Sequence, residues 1–110
     1  MPAGAAEKAT RAPYHNEILR LAEILGTVHY LRNLCESGDG DMWRKKMFAL
    51  IRAEKPDIVQ KRRLIARFNS GYRTLSQVYR ICTPTAVDIA NRYLDEGALL
   101  AGDIVQRYGQ

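Results

Sequence analysis

Apolar residues recur along this chain at steps of three and four, the spacing of one helix face, in four runs separated by breakers. The first run covers roughly 14–36 and places Ile18, Leu21, Leu25, Val28, Leu31 and Cys35 on one stripe. It stops at Ser37, Gly38, Asp39 and Gly40, a cluster of turn formers. The second run is shorter, to about residue 54. Asp41 stands where a cap belongs, and Trp43, Met47, Leu50 and Ile51 make an inner face. Pro56 ends it, because a residue before proline is pushed away from helical dihedrals.

Asp57 opens the third run, which extends to residue 82 with Ile65, Phe68, Tyr72, Leu75, Tyr79 and Cys82 as its seam. Gly71 falls inside it at a cost of about 1 kcal/mol relative to alanine, consistent with a close approach of a neighbouring backbone or with a local kink. Thr83-Pro84 is a restart signal, threonine as cap and proline at the first helical position. The fourth run carries Val87, Ala90, Leu94, Gly97, Ala101, Ile104 and Tyr108, with Gly97 and Ala101 small enough for close helix packing and Gly109 as a stop. Short turns between the runs predict an all-α antiparallel four-helix bundle, one domain over 14–108. Residues 1–13 read as a disordered leader rich in alanine, glycine and proline. They contain no apolar segment of the kind a signal peptide needs. Either the chain starts in the cytosol with that leader, or it is a trimmed mature form with Met1 added.

An up-down-up-down bundle brings the carboxyl ends of the first and third helices to one pole, where Cys35 and Cys82 lie. One disulfide between them is the expected pairing, two buried free thiols the alternative. Such a bridge stabilises by about 4 kcal/mol in the chain-entropy model and persists in oxidising compartments, here the periplasm or the outside of the cell. No metal site is expected, since there is no CxxC and neither His15 nor His29 has a ligand at helical spacing. Glycine-rich phosphate loops, GxSxG and HExxH are missing from the sequence, and His29 falls on the far side of a helix from Cys35. The expectation is a non-catalytic protein without a cofactor.

With 110 residues the chain holds one domain, and its 46% hydrophobic content is that of a globular protein. The net charge of +5 is unevenly spread. Residues 44–73 carry ten basic side chains, among them Arg44, Arg62, Arg63, Arg67 and Arg73, against two acids, Glu54 and Asp57. One reading is a solvated face with arginines paired to Glu54, Asp95 or Glu96. The other is a surface for anionic lipid, acidic polysaccharide or an acidic protein. Nucleic acid is set aside, because the turn between the second and third helices holds Pro56 and a disulfide-bearing chain rarely meets DNA. Trp43, Asn69 and Tyr72 form a candidate pocket. Against it stand a core anchor for Trp43 and a helix-end hydrogen bond for Asn69, a poor helix former.

The strings Leu34-Cys35, Trp43-Arg44, Arg62-Arg63, Phe68-Asn69-Ser70-Gly71-Tyr72-Arg73, Cys82-Thr83, Arg92-Tyr93 and Glu96-Gly97 resemble an uncharacterised family of small exported alphaproteobacterial proteins, a domain of unknown function. The resemblance implies a signal sequence on full-length members and maturation in the periplasm; it also supports the cysteine pairing and brings no activity. The function expected on these grounds is a periplasmic cell-envelope binding or scaffolding module that uses the basic face. The alternative is a structural or oligomeric adaptor, homo-oligomers included, contacting its partner through an apolar patch with Tyr30, Tyr93 and Tyr108.

Overall fold

The computed structural model describes the backbone of residues 3–108 and the side chains of residues 15–106. The side chains of the 1–13 leader and of Tyr108, and all of Gly109, lie outside the described residues. Four helices follow in order: α1 (Ala3–Leu34), α2 (Met42–Glu54), α3 (Ile58–Val78) and α4 (Pro84–Tyr108). The described residues form no strand. The all-α antiparallel bundle is therefore the fold.

Its arrangement has a centre. The backbone of α1 runs close to those of α2, α3 and α4; α2 meets α3 along a short margin, and among the described residues α4 approaches no other backbone than α1. A helix flanked on three sides buries more than one stripe. Ile24, Leu25, Gly26, Thr27 and Val28 are all buried in succession, where the spacing of apolar residues singles out Leu25 and Val28 alone. The main cluster joins Ile18, Ala22 and Leu25 of α1 to Met47, Leu64, Phe68 and Ile104. A second cluster near the cysteine pole joins Leu31 to Ala86 and Ala90.

Two glycines set the crossing of α1 and α3. A Cβ on Gly26 would lie 1.9 Å from the Phe68 carbonyl oxygen, and one on Gly71 would lie 2.4 Å from the Glu23 carbonyl oxygen and 2.8 Å from Thr27 Oγ1. Since α3 continues as regular helix through residue 71, Gly71 serves close approach and not a kink. That contact also fixes which face of α3 turns inward. Leu64, Phe68 and Gly71 are buried, so the expected seam is displaced by one residue at two positions: Ile65 is 38% exposed and Tyr72 39%.

Helix ends follow local chemistry. Cys35 caps α1, and Glu36 takes a left-handed conformation at φ 53°. The Glu36 N–H donates to the Asn33 carbonyl and the Ser37 N–H to the Arg32 carbonyl, the paired bonds of a Schellman stop. The left-handed position that ends α1 is thus held by a glutamate, two positions before Gly38. Asp41 precedes α2 but its side chain makes no capping hydrogen bond, contrary to expectation. Asp57 does cap α3, accepting from the Gln60 N–H at 2.8 Å, and Thr83 caps α4, accepting from the Ala86 N–H at 3.1 Å. The third helix stops at Val78, short of Cys82. The chain turns extended at Tyr79, whose carbonyl accepts a hydrogen bond from the Tyr30 hydroxyl of α1.

Candidate functional site

Cys35 and Cys82 form a disulfide with their Cα atoms 5.0 Å apart. Cys35 follows the last residue of α1, and Cys82 sits in the connection between α3 and α4. The bond closes a loop that contains α2 and α3 and leaves α4 outside it. Exposed apolar side chains flank this pole: Val78 is 65% exposed and Ile81 71%.

The connection from α1 to α2 is held firmly. Arg32 donates from Nε and Nη2 to the two carboxylate oxygens of Asp39, at 2.7 and 3.2 Å. The Trp43 indole donates to the same carboxylate at 2.7 Å, and Asn33 Nδ2 reaches the Gly40 carbonyl at 3.0 Å. The Arg32 guanidinium, and after it the Trp43 N–H, hold the Asp39 carboxyl below its ordinary range. Trp43 is half-buried and packs against the main core cluster.

Glu23 of α1 and Glu96 of α4 are engaged by arginines. Arg20 reaches Glu96 through two hydrogen bonds of 2.7 and 2.8 Å, and Glu23 accepts from Arg67 of α3 at 2.9 Å while lying 3.5 Å from Arg20. This line crosses the molecule from α3 over α1 to α4. The Arg20 guanidinium lowers the Glu96 carboxyl from its ordinary value, and hydrogen bonding to Glu96 raises Arg20 in turn.

The expected basic residues divide accordingly. Arg67 is half-buried and tied to Glu23. Arg44, Arg62, Arg63 and Arg73 are exposed and make no ion pair among the described residues. Arg62 and Arg73, eleven positions apart, point the same way from α3, and Arg63 lies about 100° round the helix from Arg62. Of the two acids in this stretch, Asp57 spends its side chain on the cap of α3.

Asn69 is exposed, so it does not hold a helix end from within. Tyr72 packs edge-on against Tyr30 with ring centroids 5.1 Å apart, and its ring lies 5.8 Å from that of His29. His29 is thereby wedged between α1 and the Phe68–Tyr72 face of α3, and burial lowers its pKa from the ordinary 6.5. The three candidate pocket residues do not converge: the groove that Trp43 lines contains neither Asn69 nor Tyr72.

That groove is a concavity that the sequence reading passes over. It lies between α2 and α4, encloses about 580 Å³, and is floored by Leu21, Ile24, Leu25 and Val28 of α1. Trp43, Lys46, Ala49 and Leu50 form one wall, Tyr93, Leu94, Ala98 and Ala101 much of the other. Apolar spacing marks faces that are filled, and this is one that the flanking helices leave open. The available signal was size: Ala49, Gly97, Ala98 and Ala101 are small where two helices face each other across a gap.

A family model described as "Protein of unknown function (DUF2385)" matches residues 13–108. The chain belongs to this family. The disulfide, the glycine crossing, the exposed arginines and the groove all lie within the DUF2385 region, and the description attaches no activity to any of them. No curated protein and no solved structure matches the chain.

Proposed function

We propose that this DUF2385 chain is a non-catalytic binding module of the cell envelope, exported to the periplasm, that engages an anionic partner through Arg44, Arg62, Arg63 and Arg73. One observation carries the reading. Those four guanidinium groups are exposed and unpaired among the described residues, while Glu23, Asp39 and Glu96 are committed to Arg67, Arg32 and Arg20. Basic residues close to an anionic surface contribute about 1 kcal/mol each, enough in sum to retain a small domain. The Cys35–Cys82 disulfide supports an oxidising compartment, as does the resemblance to small exported alphaproteobacterial proteins.

The test is a triple reversal, Arg62→Glu, Arg63→Glu and Arg73→Glu, with Arg67 spared because it is tied to Glu23. Retention of the purified protein by envelope fractions at low salt is expected to vanish in the variant. Retention equal to that of the native chain overturns the reading. A second reading, an adaptor that self-associates, draws support from Val78 and Ile81, both exposed in the segment leading to Cys82. Sedimentation as a monomer over a wide concentration range removes it.

A further inference from the structure

The groove between α2 and α4 has the chemistry of a ligand site. Its volume of about 580 Å³ falls within the range of small-molecule pockets, and its floor is aliphatic. Residues 21–28 of the floor and 93–101 of one wall each extend about 10–12 Å along their helices. The cavity is therefore a trough and not a bowl.

Its polar content is sparse, with Lys46 at one lip and Tyr93 on the opposite wall. Lys46 is the sole charged side chain among the described lining residues. It is exposed, its ammonium lies 5.9 Å from the centre of the Trp43 ring, and it makes no ion pair among the described residues. Just outside this lip, Asp39 and Asp41 share a shallow depression with Lys45 and Lys46. Asp39 is already neutralised by Arg32 and by the Trp43 N–H, so the lip keeps a net positive charge. The same bond uses up the polar edge of Trp43 and leaves its ring face to the trough.

An elongated apolar trough with one cation at its rim complements a molecule of matching polarity. We propose that the groove binds a single-chain amphiphile with an anionic head, the alkyl chain lying along the half-buried Leu21, Leu50 and Leu94 and the head at Lys46. A fatty acid and a lysophospholipid share this chemistry. The site goes beyond the arginine surface and does not depend on it, since Lys46 is none of those four residues.

Trp43 is the one tryptophan of the chain and forms part of the wall, so its emission reports occupancy directly. Titration of the full chain with dodecanoate, below its micelle concentration, is expected to give a saturable blue shift. Lysophosphatidylglycerol in a parallel titration distinguishes the two sources of the head group. Through octanoate, decanoate and dodecanoate, each added methylene is expected to tighten binding by roughly threefold to fourfold. Lys46→Glu is expected to weaken dodecanoate by roughly tenfold and to leave dodecanol unchanged. Ala98→Phe, at an exposed position in the wall, fills the trough and blocks both ligands with the helical circular-dichroism signal intact. Should that variant lose helicity, Ala49→Leu on the opposite wall serves the same purpose. Absence of a saturable change with either amphiphile overturns the proposal, as does dodecanoate binding to Lys46→Glu as tightly as to the native chain. Envelope retention of the arginine variant is a separate readout, so failure of one proposal is distinguishable from failure of the other.

Discussion

His29 shows how a single side chain couples the packing of α1 and α3 to pH. Phe68 and Tyr72 cover its ring, Asn33 Nδ2 lies 3.2 Å from its Nδ1, and Asp41 and Arg44 act on it with opposite signs. Burial dominates and favours the neutral imidazole. As pH falls through 6.5 the unfolded chain takes up this proton before the folded one. Stability from His29 is thus complete above that value and lost progressively below it, down through the lower folded value. The expected outcome is a urea midpoint that drops between about pH 7.5 and about pH 5.5 in the native protein, and drops less in His29→Phe. An equal drop in both excludes His29 as a source. None of this was legible beforehand, because the sequence does not say which of two helical neighbours will cover a half-polar ring.

At the scale of elements, the crossing of α1 and α3 rests on missing atoms. The carbonyl oxygens of Phe68 and Glu23 occupy the space that side chains at residues 26 and 71 would need. Backbone cannot rotate aside as a side chain can, so Gly71→Ala must spread the two helices. The expected loss is about 3 kcal/mol, in spite of alanine's better helix propensity, measured as a fall in the midpoint of denaturation. A variant as stable as the native chain would contradict the crossing. Much at this scale was readable in advance: Asp57 and Thr83 cap as their types dictate, and the breakers at Pro56 and Pro84 separate the helices. The misreadings share a cause. Spacing reports period but not phase, so Ile65 and Tyr72 looked as eligible as Leu64 and Gly71 until a partner backbone chose between them. Likewise, α3 could not be known to stop at Val78 without the Tyr30 hydroxyl that holds the Tyr79 carbonyl.

For the whole molecule, each short connection reverses the chain, so α1 and α3 run the same way and their carboxyl ends share one pole. That pole is where the disulfide joins Cys35 to Cys82. The groove was not legible, since a concavity is a property of helices that fail to touch. The disulfide closes a loop of sequence separation 47, and its reduction is expected to lower stability by about 4 kcal/mol in the chain-entropy model. Thermal melts with and without reductant test this, and coincident melts would show that the bond adds no stability. The enclosure is also selective. It tethers two helices to the end of α1, while α4 lies beyond the knot and leans on a single neighbour's backbone. Of all large-scale fluctuations, swinging this last helix away is the one the covalent tie does least to oppose.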